Sequence, residues 1–265
     1  MALPTWNGWN IVTMPSYEFQ SIDFVSTDTI GVFTSPYTNQ MQVYDWQNSF
    51  LSGTVTLPPQ EAGDAAAWIG FLLACRGSMN VFELGDSSQT EPFGTPSGSP
   101  VVAAAPAAYS ATTAYAVGNT VNYSGNTYIC IAATTGNAPT DTTYWALDNQ
   151  FHPSAFPYGL YTTGWGASAN GLLLPGDYIT IPSAPVNPGD ETISRLYRIT
   201  QPVNSDASGN ATISIWPQIR ETPAAAVAIT TSNTRGLFRL AQNKVQWHKS
   251  YDTTMQASFA IVEAL

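Results

Sequence analysis

Residues 109–148, YSATTAYAVGNTVNYSGNTYICIAATTGNAPTDTTYWALD, decide how the rest of the chain is read. Apolar and small polar residues alternate in Thr120-Val121-Asn122-Tyr123 and in Thr127-Tyr128-Ile129-Cys130-Ile131, a period of two that argues for half-buried strands. Turn-forming groups interrupt them at Val117-Gly118-Asn119, Ser124-Gly125-Asn126 and Gly136-Asn137-Ala138-Pro139. Two or three short strands therefore fit into about forty residues. Tyr109, Tyr115, Tyr123, Tyr128, Tyr144 and Trp145 supply nearly all the bulky apolar surface. A unit this small needs large aromatics to build a core at all.

The flanks set this stretch apart. TPSGSPVVAAAP, residues 95–106, precedes it and FHPSAFP, residues 151–157, follows. Both contain proline and lack strand or helix periodicity, so both are expected to be tethers. A module spliced into a loop leaves its host discontinuous. The expected segments are 1–100, an inserted module at 107–150, and 158–265, which completes the host.

The host reads as mainly β. Ser16 to Phe24 alternates apolar and polar residues, and Thr29–Phe33, Gln40–Trp46 and Ser49–Leu57 follow as further strands around a turn at Ser35–Asn39. One substantial helix is expected over about residues 59–76. Pro58-Pro59 opens it, Glu61 and Asp64 sit at its N-terminal end, Arg76 lies in its last turn and Gly77 is placed to cap it. Ala65, Trp68, Ile69, Leu72 and Cys75 fall on one face, which predicts packing against the strands. Met79–Leu84, the run from Gly171 to Ile181, Ser194–Thr200, Ala211–Trp216, Gly236–Leu240, Lys244–Trp247 and Ala257–Glu263 supply the remaining strands, with a hairpin loop at Asn204–Asn210. The fold expected is a β-sandwich-type host with one helix and a further β region, interrupted by a small all-β insert. Trp6, Trp9 and Trp46 read as core or interface residues.

Composition narrows the function. Charged residues make up 10% of the 265, against roughly 25% in a typical soluble domain. Uncharged surface outside a membrane is often surface destined for another protein, since the cores of protein interfaces are depleted in charge. No apolar run approaches the ~20 residues that span a bilayer, so no membrane insertion is expected. The start, MALPTWNGWN, lacks a basic region followed by an apolar one, which predicts no signal peptide and synthesis in a cytoplasm. The net charge of −10 is uneven: residues 1–194 hold fourteen acids and one base, Arg76, and the remainder hold four acids and seven bases. Without a basic stripe interleaved with aromatics, sequence-specific nucleic-acid binding is not expected. An acidic surface repels DNA and would suit a conduit through which DNA slides, although a solubilising bias gives the same count.

Catalytic patterns are missing. His152 and His248 are solitary, without metal-ligand spacing to cysteine or to a second histidine. There is no nucleophile elbow, phosphate-binding glycine loop or paired CxxC. Asp141 and Asp148 lie in the insert with nothing to pair them as acid and base across a sugar. Asp206-Ala-Ser-Gly209 lacks the ligand ladder and closing glutamate of a calcium loop and reads as a turn. No enzyme activity, cofactor or metal is expected. Cys75 and Cys130 are expected to be two buried free thiols.

Two resemblances give these readings a direction. The order Tyr115, Gly118, Val121, Tyr123, Gly125, Tyr128, Gly136, Pro139, Trp145 resembles the small carbohydrate-binding modules attached to chitinases and cellulases. Where that family presents adjacent aromatics to the sugar, between Tyr128 and the Gly136 turn, this chain has Ala132 and Ala133, a departure that bears on binding rather than on fold. Tyr123, Tyr144 and Trp145 are the candidates for stacking on a sugar face. Each also reads as core, Trp145 above all. The host is similar to distal tail proteins of long-tailed bacteriophages. The similarity is carried by the helix ending Trp68-Ile-Gly-Phe-Leu-Leu-Ala-Cys-Arg-Gly77, by Val81–Asp86, by Thr163-Gly-Trp-Gly through Leu174-Pro-Gly-Asp-Tyr-Ile-Thr-Ile181 to Ile215–Glu221, and by Ser258–Ala264.

The second resemblance implies a structural virion protein that assembles with itself into a ring, commonly a hexamer. Its expected neighbours are the tail tube protein and the tail hub or tip proteins, with genomic DNA passing through the ring. It also implies an outward insert that grips host-surface polysaccharide. Two other readings remain: a tail component whose insert makes only protein contacts, and a glycan-binding accessory module from a secreted enzyme system.

Overall fold

A tight hairpin opens the chain, β1 (Thr5–Trp6) and β2 (Trp9–Asn10), turning through Asn7 and Gly8, both at positive φ. The computed structural model describes residues 3–16, 18–103, 106–117, 119–124, 126–147, 158–185, 187–221, 223–249 and 254–265. The expected series of short strands over 16–57 merges into one long hairpin, β3 (Ser21–Thr34) and β4 (Met41–Thr56), with a register shift between Asp28 and Ile30. The turn falls where the sequence put it: Ser35 N–H donates to Gln40 O at 2.9 Å, and Asn39 takes φ 53°.

Helix α1 runs Ala62–Ala74, shorter than the expected 59–76. Its start is delayed because Gln60 is held in extended pairing: Gln60 N–H donates to Met255 O, and Met255 N–H donates back to Gln60 O, each at 2.9 Å. It ends where Arg76 and Gly77 both adopt positive φ. A side chain at 77 would lie 2.8 Å from the Cα of Asn243, so glycine is required there for space as well as for backbone conformation.

The next elements are β5 (Val81–Leu84) and β6 (Gly98–Val102). Within the insert come β7 (Ala114–Tyr115), β8 (Thr120–Tyr123), β9 (Asn126–Cys130), β10 (Thr134–Thr135) and β11 (Trp145–Leu147). The host resumes with β12 (Gly159–Trp165), β13 (Tyr178–Ser183), β14 (Ile193–Ile199) and β15 (Ala211–Trp216). It closes with β16 (Gly236–Leu240), β17 (Trp247–Lys249) and β18 (Met255–Glu263). The protein is mainly β, with antiparallel sheets and one helix among the described residues.

Two large sheets form a sandwich-like host. The first has the order β3-β4-β18-β16-β5, with β17 also on β18; the second has the order β13-β14-β15-β12-β6. The first sheet therefore takes strands from both ends of the chain. Alternation along β18 buries Met255, Ala257, Phe259, Ile261 and Glu263. The helix lays Ala65, Trp68, Phe71, Leu72 and Cys75 on that face, and Trp68 meets Phe71 and Phe259 at ring distances of 5.6 and 6.2 Å. Tyr178 and Leu196 of the second sheet enter the same core. Where the sheets meet, a Cβ at Gly236 would stand 2.6 Å from that of Leu196.

One expectation is corrected. Residues 95–106 are not a free tether, because Gly98–Val102 is strand β6 of the second sheet and Val102 is buried in its core. Pro100 is compatible with this because β6 is the edge strand, where a missing N–H does little harm. The following flank, 151–157, lies outside the described residues, as do Asp148 and His152.

Both cysteines are free and buried, and burial pushes the Cys75 thiol up to about 12. Thiol reagents at pH 8 should therefore find neither cysteine in the native protein and both in denaturant, as a colorimetric thiol titration will show. Trp68→Ala should cost about 3–5 kcal/mol, the usual range for removing a fully buried indole, read from the urea midpoint of the host transition.

Candidate functional site

The insert is rooted in a pair of neighbouring strands. β6 and β12 are antiparallel, with Val102 opposite Thr162 and Ala103 N–H donating to Tyr161 O at 3.1 Å. The insert therefore occupies the position of a hairpin loop. Gly164 pins the register of this pair. It sits at φ 85° in the bulge between Thr163 and Trp165, and a Cβ there would lie 2.4 Å from Ser99 O.

Within the insert, β11-β9-β8 form a three-stranded sheet and β10-β7 a two-stranded one. The incoming chain pairs parallel to β8 at Ala108 and Asn122, where Tyr109 N–H donates to Asn122 O at 2.9 Å. Among the described residues the insert's hydrogen bonds all stay within it. Ser124 takes φ 52° in the β8–β9 turn, and Gly136 takes φ 84° after β10, so two of the turns read from sequence are formed. Gly118 and Gly125 lie outside the described residues.

Register places Val121, Tyr123, Tyr128, Cys130 and Trp145 on one face of the three-stranded sheet, because directly opposed residues share a face. Tyr109 and Tyr115 cover that face. They stack on each other at 5.8 Å and meet Trp145 edge-on at 6.0 and 5.1 Å. Trp145 is 1% exposed, and its indole N–H donates to Asn137 O at 3.0 Å. So placed, Trp145 packs within the core of the insert. The physical reason is size, since a module with so few apolar residues must bury its largest one.

Tyr123 and Tyr144 are half-buried at the rim of the same core. Tyr123 contacts Tyr109 and Tyr128 edge-on at 5.7 and 6.5 Å. No ring contact joins Tyr144 to Tyr123 among the described residues. The structure thus gathers the three candidates around one core without assembling an open platform of adjacent rings. Ala132 is half-buried and Ala133 exposed, with no aromatic in either place. The Tyr109 hydroxyl is buried without a hydrogen-bond partner, and loss of solvation, then Tyr115 and Tyr123, raise its pKa. The large apolar residues the insert exposes, among the described residues, are Val117, Ile131 and Leu147, which sequence reasoning did not single out.

Other candidate chemistry resolves into structure. Asp206 accepts from Ser208 N–H and Asn210 N–H, each at 2.8 Å, and from the Asn210 side chain at 3.0 Å. These bonds, Asn210 N–H first, hold its carboxyl below the usual range, as in a turn that satisfies itself. Asp177, fully buried, accepts from Phe93 N–H at 2.7 Å, Gly94 N–H at 3.1 Å and Leu174 N–H at 2.8 Å. It anchors the segment that carries the chain from one sheet to the other. Among the described residues no group of three or more His, Cys, Asp or Glu is placed to hold a metal ion, and no helix is long and apolar enough to cross a membrane.

The tryptophans expected to be core or interface separate. Trp6 is buried, Trp9 half-buried, and Trp46 stands 67% exposed on the distal part of the β3–β4 hairpin. No family model matches the chain, and none of the curated proteins matches it.

Trp145→Ala removes more than so small a core can lose, about 3–5 kcal/mol for a buried indole. Limited proteolysis should then cut within residues 107–147 while the host fragments stay resistant. Tyr144→Ala, at the rim, should leave the module protected.

Proposed function

We propose that the chain is a structural protein of a bacteriophage tail tip, assembling with itself into a ring between tail tube and tip and carrying an outward module that contacts host-surface polysaccharide. The observation that carries this reading is the splice. A self-contained aromatic module fills a hairpin position between two paired edge-region strands of a β host, with hydrogen bonds of its own and a core of its own. A module so attached adds a contact without disturbing the scaffold beneath it. Low charge over the host suits a protein whose surface is shared with neighbours. The resemblance of the host to distal tail proteins supplies the assembly.

Tyr123 and Tyr144 are the rings left to face a sugar. Half-buried rims without a paired platform favour weak single contacts. In a ring the module is repeated, and linked weak sites gain affinity through effective concentration. A second reading has its own support. With Trp145 in the core and Val117, Ile131 and Leu147 exposed, the module offers an apolar surface suited to protein contact rather than to a glycan.

Excising residues 105–155 separates the two. Particles carrying the shortened chain should assemble with normal tails and adsorb to their host at least about tenfold more slowly if repeated saccharide contacts act together. Unchanged adsorption would favour the protein-contact reading. Absence of the full-length chain from purified tails would overturn the tail-tip assignment altogether.

A further inference from the structure

The tight turn between β1 and β2 carries chemistry of its own. Asparagine followed by glycine is the pair most prone to lose its side-chain amide, because a residue without a Cβ lets its backbone nitrogen approach the preceding carboxamide. The sequence holds two such pairs, Asn7-Gly8 and Asn170-Gly171. The fold treats them differently.

At the second pair the nucleophile is engaged. Gly171 N–H donates to the Asn204 side-chain oxygen at 2.8 Å, and Gly171 O accepts from Thr95 N–H at 2.9 Å. Leu172 and Leu173, the next two residues, are fully buried. Gly171 is thus held from both sides.

The first pair is open. Asn7 and Gly8 are exposed, and the Gly8 N–H has no hydrogen-bond partner among the described residues. The turn belongs to a hairpin of only two residue pairs, Thr5 with Asn10 and Trp6 with Trp9, so it opens locally without unfolding the host. The reaction needs that opening, since Asn7, at φ 49°, must turn its peptide to bring the Gly8 nitrogen to its own Cγ. Asn187 Nδ2 donates to Asn7 Oδ1 at 3.4 Å, and a donor at that oxygen favours the charge that gathers there as Cγ is attacked.

We infer that Asn7 is a self-modification site, at which the Gly8 backbone nitrogen attacks Asn7 Cγ and displaces the side-chain amide. The new C–N bond closes a five-membered succinimide. The old one breaks, and the proton given up by the Gly8 nitrogen leaves with the departing group as ammonia. Water then opens the ring at either carbonyl, which puts aspartate or its β-linked isomer at position 7.

The product changes the contacts around it. Asp190 accepts from Thr5 Oγ1 at 3.0 Å, from Asn7 N–H at 2.7 Å and from Asn187 Nδ2 at 3.1 Å, and these bonds tie the hairpin to the host. A carboxylate at position 7 stands beside that of Asp190 and competes for the same Asn187 amide. Like charges sharing one small site repel. The β-linked isomer also adds a backbone atom to a turn whose geometry fits two residues. Either product loosens the hairpin, and with it the cover that Trp6 gives to Val81, Ile193, Leu237 and Ala264. This chemistry is independent of the tail-tip reading.

The full-length chain, held for weeks in mildly alkaline buffer, is mapped by proteolysis and mass spectrometry, with an isoaspartate-specific methyltransferase to mark the β-linked product. Residue 7 is expected to convert at least about fivefold faster than residue 170, the factor that one intact hydrogen bond supplies. In denaturant the two pairs should convert at similar rates. The converted chain, separated by ion exchange on its added negative charge, should be cut by chymotrypsin beside Trp6 and Trp9 at least about twofold faster, the scale of a repulsion between exposed charges. An Asn7 that stays intact, or converts no faster than Asn170, overturns the site, as does a difference that persists in denaturant. A converted chain that is cut no faster overturns the loosening of the hairpin.

Discussion

A buried carboxylate fixes the two sheets of the host against each other. Glu263, at the end of β18, receives the Arg220 guanidinium at 3.0 Å and Leu51 N–H at 3.2 Å, and Arg220 also donates to Ser49 O. Three distant segments of chain meet on one charge pair. A buried charge deprived of its partner costs about 3–5 kcal/mol, so neither sheet can slide without the other. Arg195 repeats the device nearby. It donates to Ala264 O, pairs with Glu221 at 3.1 Å and lies 5.3 Å from the centre of the Trp6 ring. Asp190 in turn accepts from Thr5 and Asn7, so the N-terminal hairpin is tied to the same region. Two of the seven cations after residue 194, Arg195 and Arg220, are thus spent on contacts inside the host.

That closure leaves an asymmetry. Loops cover three sheet edges, the helix and second sheet cover the inner face of the first, and the β3–β4 arm extends past all of them. The distal side chains of this ribbon are more than half exposed at Phe33, Tyr44 and Trp46, and isolated two-stranded hairpins are marginal in water. The arm carries aliphatic residues on one side and aromatics on the other, both largely exposed. Its register shift between Asp28 and Ile30 falls near the root, and Trp216 of the second sheet donates to the Asp28 carboxylate there at 2.8 Å. The root is fixed while the distal part stays open.

Much of this was legible in the sequence. The helix was readable because Ala65, Trp68, Leu72 and Cys75 recur at helical spacing, and most host strands because apolar residues alternate on a sheet with one buried face. What escaped has physical causes. β6 was hidden because Gly-Ser-Pro-Val-Val has the composition of a linker; an edge strand tolerates proline, and composition cannot see the partner that makes it a strand. The delayed start of α1 came from pairing with a strand nearly two hundred residues away in sequence, a contact no local window contains. Trp46 alternates as a half-buried strand residue would, yet it stands 67% exposed. Periodicity reports that a face is apolar, not that anything covers it.

The insert shows the same limit from the other side. Its aromatic order was readable as a module, but not which rings would be left to face solvent. Once five rings close on one another, the residue best suited to stack on a sugar, Trp145, is also the residue the core cannot spare. A free platform would have required additional aromatics beyond those the core consumes, and at the place where they would stand the chain has Ala132 and Ala133. The structural demand on the aromatics was met first. The rings left at the rim are Tyr123 and Tyr144, each half-buried rather than fully spent in the core.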